Sequence, residues 1–154
     1  MNYVRRVLQP GESVIHVTRI HPIIFLRAIF WFAVALLLLI ASLIKLSGDP
    51  RIVGEALAVF GLIFALASAI PALIRRISTE LAVTDRRVIY NSGVFARHTL
   101  EMKCSKVESV DVDQTLLGRF LGFGTITVRG TGGSLEPIRM ISDPLTFRSH
   151  ITAG

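Results

Sequence analysis

The sequence predicts an α+β membrane protein, in which a two-helix transmembrane hairpin is joined to a small antiparallel sheet closed by a C-terminal helix. Three observations lead to this class. Two apolar stretches of membrane-spanning length occupy residues 23–44 and 52–74. After Ser78, apolar and polar residues alternate over several short segments, as they do in half-buried strands. Near the end of the chain, Asp143 and Pro144 form the pattern that begins a helix.

The two apolar stretches are the strongest signal in the chain. Their uncharged parts run over residues 28–44 and 56–74. About 20 helical residues cross a hydrocarbon core of about 30 Å, so both stretches are long enough once Arg27 and Glu55 lie at their ends. Neither stretch has a polar face at helical spacing, which disfavours the alternative of two buried core helices in a soluble domain.

A short polar segment connects the two spans. Residues 45–51 contain Gly48, Asp49 and Pro50, a combination that favours a turn. Because this segment can reverse the chain but is too short for a domain, the spans are predicted to form an antiparallel hairpin with both chain ends on one side. By the positive-inside rule that side is cytoplasmic. The connecting segment carries two basic residues, whereas the outer ends of the spans carry more: Arg5, Arg6, Arg19, Arg27, Arg75, Arg76, Arg86 and Arg87.

A strand is predicted ahead of the first span. Residues 13–19 are rich in β-branched side chains, although an adjacent valine and isoleucine interrupt the alternation. This strand needs a partner, and the hairpin returns the downstream domain to the same side. The chain is therefore predicted to consist of a cytoplasmic N-terminal segment whose strand joins the downstream sheet, the transmembrane hairpin and a cytoplasmic domain, at residues 1–22, 23–74 and 75–154.

The downstream segments predict about six or seven strands in all. Asp85 and Arg86 form a tight turn between two of them, and Gly93 supplies a second turn because glycine adopts positive φ freely. A change of phase near Glu108 and Ser109 indicates a β-bulge. Strands linked in this way suit a rolled sheet or a partly open barrel. The predicted strands are residues 13–19, 79–84, 87–92, 96–103, 106–114, 125–129 and 135–141.

The C-terminal helix is predicted to be short. Asp143 is its expected N-cap and Pro144 its first residue, and residues 144–154 allow about two to three turns. Phe147 and Ile151 are four residues apart, so they share the inner face of this helix.

An unusually apolar cluster lies between two predicted strands. It is too short for a span and too apolar for an ordinary loop, and two interpretations stay open. The cluster is either a turn that plugs one end of the barrel or an exposed patch that touches lipid or another subunit. Its members are Leu116, Leu117, Phe120, Leu121 and Phe123.

Small residues recur at helical spacing in the second span. They would let another helix approach closely, either the first span or a helix of a neighbouring copy. Together with the apolar cluster they make self-association a hypothesis. These residues are Ala58, Gly61, Ala65 and Ala69.

Five motifs stand downstream of the spans: T-D-R-R at 84–87, K-V-E-S-V at 106–110, L-L-G-R-F-L-G-F-G-T at 116–125, R-G-T-G-G at 129–133 and D-P at 143–144. Together they resemble the bacterial pleckstrin-homology-like family, once called the membrane-flanked domain. The resemblance extends over nearly all of residues 78–151, and the segment before the spans is similar to that of members with two helices ahead of the domain. It implies a bent antiparallel sheet capped by a C-terminal helix, and it implies no catalytic activity. Some members of the family are thought to form oligomers.

The residues give no pattern for catalysis or for a cofactor. The four histidines are scattered without ligand spacing, and Asp111 and Asp113 share a strand face without an evident third ligand. The glycine-rich segments do not open a helix after a buried parallel strand, and one cysteine, Cys104, excludes an intramolecular disulfide. The formal charge of +6 is too diffuse for a nucleic-acid partner. We therefore expect neither an enzyme nor a metal or cofactor site.

The protein is predicted to be a multi-pass protein of the bacterial inner membrane with cytoplasmic N- and C-termini. Three hypotheses about its function follow. The leading one is a non-enzymatic interaction, scaffolding or self-assembly module whose partners are the lipid bilayer and either a second copy or another membrane protein. The second is an anionic-lipid headgroup sensor. The third is an accessory subunit of a membrane transporter or protease. The candidate headgroup contacts are Arg75, Arg76, Arg86 and Arg87.

Overall fold

The computed structural model describes residues 2–45, 49–93, 98–131, 133–134 and 137–152. The chain forms two compact units. The first, which we call the domain, combines Met1–His21 with Arg75–Gly154, and the second, the helical hairpin, is Pro22–Ile74. Parts of the predicted turns and strands at residues 46–48, 96–97, 132 and 135–136 lie outside the described residues.

The domain and the hairpin are built from five α-helices, eight strands and two short 3-10 turns within the described residues. The helices are α1 (Asn2–Val7), α2 (Leu26–Lys45), α3 (Asp49–Ser78), α4 (Leu116–Leu121) and α5 (Pro144–Thr152), with 3-10 turns at Pro22–Phe25 and Cys104–Lys106. The strands are β1 (Val14–Thr18), β2 (Glu80–Thr84), β3 (Arg87–Ser92), β4 (His98–Lys103), β5 (Val107–Asp113), β6 (Phe123–Gly130), β7 (Gly133–Ser134) and β8 (Ile138–Ser142).

The helical hairpin consists of α2 and α3 packed antiparallel. The rings of Trp31 and Phe64 stack with centroids 5.3 Å apart, and nearer the connecting segment the Ser42 hydroxyl donates to the Arg51 carbonyl at 2.9 Å. Two segments are long and apolar enough to cross a membrane by length and composition, with mean hydropathies of 2.8 for Pro22–Ile44 and 2.5 for Pro50–Ser78. Most of their large apolar side chains point outward and are exposed.

The segment between α2 and α3 is shorter than the sequence suggested. Asp49 and Pro50, which we expected in a turn, are the first two residues of α3. Proline is tolerated there because the backbone N–H groups of the first helical turn have no acceptor within the helix. The turn signal therefore marked the beginning of a helix.

The first sheet has the order β1-β2-β3-β4 and is antiparallel throughout. Its first two strands, β1 and β2, are neighbours although the whole helical hairpin separates them in sequence. Thr18 lies opposite Leu81, and the register shifts between Val14 and His16. This shift accounts for the adjacent Val14 and Ile15, which broke the alternation of the predicted strand.

Strand β2 is buried on both faces, whereas its alternating sequence suggested burial on one face. Helix α1, which the sequence did not predict, covers one of them: Val4 packs with Ala82 and Ile89 in a buried cluster. On the other face Leu81 and Val83 are also buried. Because neither face of β2 is open to solvent, the side chains on both faces are either apolar or hydrogen-bonded.

The second sheet is formed by β5, β6, β7 and β8, with β6 in contact with the other three. Its register shifts between Val107 and Ser109, which confirms the predicted bulge at Glu108. An isolated bridge between Ile20 and Ile141 connects the segment after β1 to β8. The described residues contain eight strands in two four-stranded sheets, where the sequence predicted about six or seven strands.

Helix α5 packs against β1, β2, β5 and β6. Phe147 and Ile151 are both buried, in agreement with their predicted place on one inner face. The helix begins at Pro144 as expected, but Asp143 has φ +47° instead of the extended backbone of a usual N-cap. Its carbonyl accepts a hydrogen bond from the Phe147 N–H at 3.1 Å, so Asp143 still closes the first turn.

Candidate functional site

The apolar cluster is a short helix on the surface of the domain. Thr115 caps α4 by accepting a hydrogen bond from the Gly118 N–H at 3.1 Å, and Gly122 ends it with φ +73°. We call its four exposed side chains the apolar patch: Leu116, Leu117, Phe120 and Leu121, exposed at 75%, 68%, 87% and 50%. Phe123 is not part of the patch, because it begins β6 and is half-buried. The structure favours the exposed patch over the plug.

Gly118 fixes which face of α4 points outward. It is buried, and a Cβ at this position would lie 2.6 Å from the Phe123 carbonyl oxygen. The Gln114 side-chain amide donates to that same oxygen at 3.0 Å. Since only a glycine permits this close approach, the bulky side chains of α4 must lie on its other side.

The patch adjoins the point where the chain leaves the domain for α2. The ring of Phe123, two residues after α4, stacks on His21 with centroids 5.4 Å apart. The His21 N–H in turn donates to the Met140 carbonyl at 2.6 Å. His21 is the last residue of the domain before the hairpin begins at Pro22. Helix α4 therefore lies at the same end of the domain as the exit to the apolar helices.

A buried ion pair occupies the opposite end of the first sheet. Arg87 donates from Nε and Nη2 to the two carboxylate oxygens of Glu12, at 2.9 and 2.7 Å, and from Nη1 to Glu101 at 2.6 Å. Glu12 also accepts from the Thr84 hydroxyl at 2.7 Å, and its side chain is fully buried. The hydrogen-bonded Arg87 lowers the pKa of Glu12 to about 2, and Glu12 raises the pKa of Arg87.

This geometry differs from the predicted headgroup site at Arg86 and Arg87. Strands β1 and β2 meet the hairpin at Thr18 and Glu80, whereas the turn at Arg86 lies at their other end. A five-residue strand extends about 17 Å, so the turn is remote from the chain exits. Arg86 is exposed, but the guanidinium of Arg87 is engaged by two carboxylates. Of the two arginines, Arg86 is the one whose side chain is exposed, and a headgroup site at this turn stays a prediction.

The other two candidate headgroup residues lie where the second apolar helix ends. Arg75 and Arg76 are in the last turn of α3, followed within four residues by β2. Arg75 is exposed and Arg76 half-buried. Both arginines therefore lie at the end of the second apolar helix.

The small-residue face of α3 packs within the chain. Ala58, Gly61 and Ala65 are buried and Ala69 is half-buried. A Cβ at Gly61 would lie 3.0 Å from the Cβ of Ala35 on α2, so the absence of a side chain lets the two helices approach closely there. Of the two interpretations, the structure shows contact with the first span.

Two histidines lie between β1 and α5. The rings of His16 and His150 stack with centroids 4.9 Å apart, and Phe147 lies against His16 with centroids 6.3 Å apart. Burial lowers the pKa of His16 below its ordinary value of 6.5, the positive charge of His150 lowers it further, and Asp143 opposes both. In the sequence these histidines are scattered, and nothing in their spacing indicates that α5 returns to β1.

This pair predicts that acidification below about pH 6.5 weakens the domain. The unfolded chain has an ordinary His16 pKa and takes up a proton first, so stability is present above 6.5 and declines below it. Glu12 and Glu80 have lowered pKa values, below 4.5, so their contribution is lost only at lower pH. The test is urea unfolding in detergent at a series of pH values. His16→Gln should flatten the dependence, whereas replacing the exposed His98 by Gln should preserve it.

The fold defines an α+β protein of two antiparallel sheets capped by a helix, with a pair of long apolar helices inserted between its first two strands. A family model described as a bacterial PH domain matches residues 14–153, and the chain belongs to this family. The match includes β1 and the hairpin as well as the downstream strands, and it confirms the resemblance seen in the sequence. Comparison with curated proteins and with solved structures gives no match.

Proposed function

We propose that this protein is a non-enzymatic inner-membrane protein whose hairpin spans the bilayer twice and whose PH domain is an interaction module at the cytoplasmic face. The pairing of β1 with β2 carries the proposal. One strand precedes the two apolar helices and the other follows them, so both ends of the hairpin must return to one folded domain. A pair of spans satisfies this requirement, whereas a single span would separate the strands.

The surface of the hairpin supports the membrane assignment. Its outward side chains are mainly leucine, isoleucine, valine and phenylalanine, and a soluble protein rarely leaves so much contiguous apolar surface in water. The positive-inside rule places the domain in the cytoplasm, because Arg75 and Arg76 follow the second span.

The role of the domain is proposed from its family and from its surface. PH domains bind proteins or lipids through exposed features, which are grafted on a common fold. Here the small residues of α3 are used against α2, so assembly with a second copy or with another membrane protein would use other surfaces. The partners we propose are the lipid bilayer and such a membrane protein.

Labelling of single cysteines tests the topology. In a Cys104→Ala background, Ser47→Cys places a thiol between the spans and Ser149→Cys places one on the exposed side of α5. In intact bacteria stripped of their outer membrane, an impermeant maleimide should modify the first thiol and reach the second only after lysis. We expect the protein to remain in the membrane pellet after a carbonate wash.

The opposite labelling pattern would reverse the orientation, and equal labelling of both thiols in intact cells would contradict two spans. Release of the protein by carbonate would show that the apolar helices do not cross the bilayer at all.

A further inference from the structure

We propose that the apolar patch on α4 inserts into the lipid interface of the same membrane, so that the domain is held at the bilayer by a third, non-spanning contact. This inference rests on the proposed function, because the hairpin must be in a bilayer for α4 to reach it. The occupant of the patch is lipid, and a second copy of the chain is the competing outcome.

The exposure of the patch is enforced by structure. Caps at Thr115 and Gly122 close both ends of α4, and the tight contact at Gly118 prevents the helix from turning its bulky face inward. Four large apolar side chains on one six-residue helix are therefore held outward on a folded support. A helix with such a face lies along an interface and buries that face at the boundary of headgroups and acyl chains.

Helix α4 lies at the end of the domain where the chain leaves for the hairpin. Phe123, two residues after α4, stacks on His21, and Pro22 begins the segment that leads into α2. Where the chain returns from the hairpin to the domain, a single residue, Thr79, separates α3 from β2. The chain therefore enters and leaves the domain at the end that carries α4, through two short connections.

Charge at this end agrees with an anionic leaflet. Arg119 lies exposed on α4 itself, Arg19 precedes the Ile20 bridge, and Arg139 adjoins the Met140 carbonyl that His21 contacts. Basic side chains beside an apolar face favour binding to anionic lipid. The exposed acidic groups near α4 are Asp113 and Asp143, so the arginines are in excess.

Size favours lipid over a second copy. A stable protein–protein interface uses about 20–30 residues on each side, whereas the patch has four. Insertion into lipid needs no such area, because the hairpin already keeps the domain at the bilayer and raises its effective concentration there.

The experiment uses the full chain with Cys104→Ala in vesicles of phosphatidylethanolamine and phosphatidylglycerol, with and without brominated acyl chains. A fluorophore on Leu117→Cys reports the patch, and one on Ser105→Cys, exposed at the opposite end of the first sheet, is the control. We expect brominated lipid to quench the label at 117 several-fold more strongly than the label at 105. Adding Leu116→Ser and Phe120→Ser should remove most of that difference.

The tryptophan of the chain, Trp31, separates the two proposals because it lies on α2. If Trp31 is quenched by brominated lipid and the label at 117 is not, the hairpin is inserted and the proposal for α4 is wrong. If Trp31 is not quenched either, the proposed function itself fails. A label at 117 that is shielded from both water and bromine, together with disulfide formation between unlabelled Leu117→Cys chains after addition of an oxidant, would assign the patch to a second copy.

Discussion

Arg87→Ala is expected to lower the free energy of unfolding of the domain by about 3–5 kcal/mol, because it leaves the buried Glu12 charge without its partner. The Glu12 side chain is fully buried, and Arg87 supplies two of its hydrogen bonds. The substitution also removes the hydrogen bond from Arg87 to the Val7 carbonyl at 2.7 Å, so α1 should detach as well. Urea unfolding followed by circular dichroism in detergent measures the loss.

Arg86→Ala is the matched control. The two arginines are adjacent in sequence, but Arg86 is exposed, and its replacement should change stability by less than about 0.5 kcal/mol. Replacing Glu12 and Arg87 together by leucine should recover most of the loss, since no unpaired charge is left inside. Equal losses for Arg86→Ala and Arg87→Ala would show that the pair contributes nothing specific.

The elements that the sequence predicted well are those with a strong period or a strong turn residue. The apolar runs of α2 and α3, the alternation in β3 and the phase change at Glu108 each have a local cause that the structure retains. The pairing of β1 with β2 follows from chain connectivity once the hairpin is recognised.

The elements that it missed depend on contacts between distant residues. Helix α1 has six residues, too few for a recognisable period, and it is stabilised by packing of Val4 on Ala82. The burial of Glu12 has no local signal in the sequence, because carboxylates are rarely buried without a partner and the partner of Glu12 is 75 residues away. Because Glu12 is so far from Arg87 in sequence, the sequence alone gave no sign that the Arg87 guanidinium is paired.

The patch on α4 is a different kind of case. Composition marked the cluster as unusual, but whether Phe120 lies inside or outside depends on Gly118, whose role is visible only beside β6. A rule that places apolar side chains inside would have favoured the plug. Phe123 obeys that rule in part and the four patch residues do not, which is typical of a surface kept for contact.

Phe147→Ala is expected to destabilise the domain by about 3–5 kcal/mol, because it leaves a cavity under α5. The Phe147 side chain is fully buried and faces His16 on β1. Helix α5 has nine residues and cannot persist without its packing. The loss should appear in urea unfolding and as faster amide exchange along α5. Leu145→Ala on the same helix, at a side chain 58% exposed, should cost less than about 0.5 kcal/mol.

The same variant links packing of α5 to the response to acid. The pKa of His16 is lowered chiefly by burial, and α5 supplies both Phe147 and His150 against its ring. Loosening the helix returns His16 to water, so Phe147→Ala should lose much of the stability change that the original chain shows on acidification below about pH 6.5. If Phe147→Ala keeps the full pH dependence, His16 is desolvated by the strands alone and α5 is not the element that senses the proton.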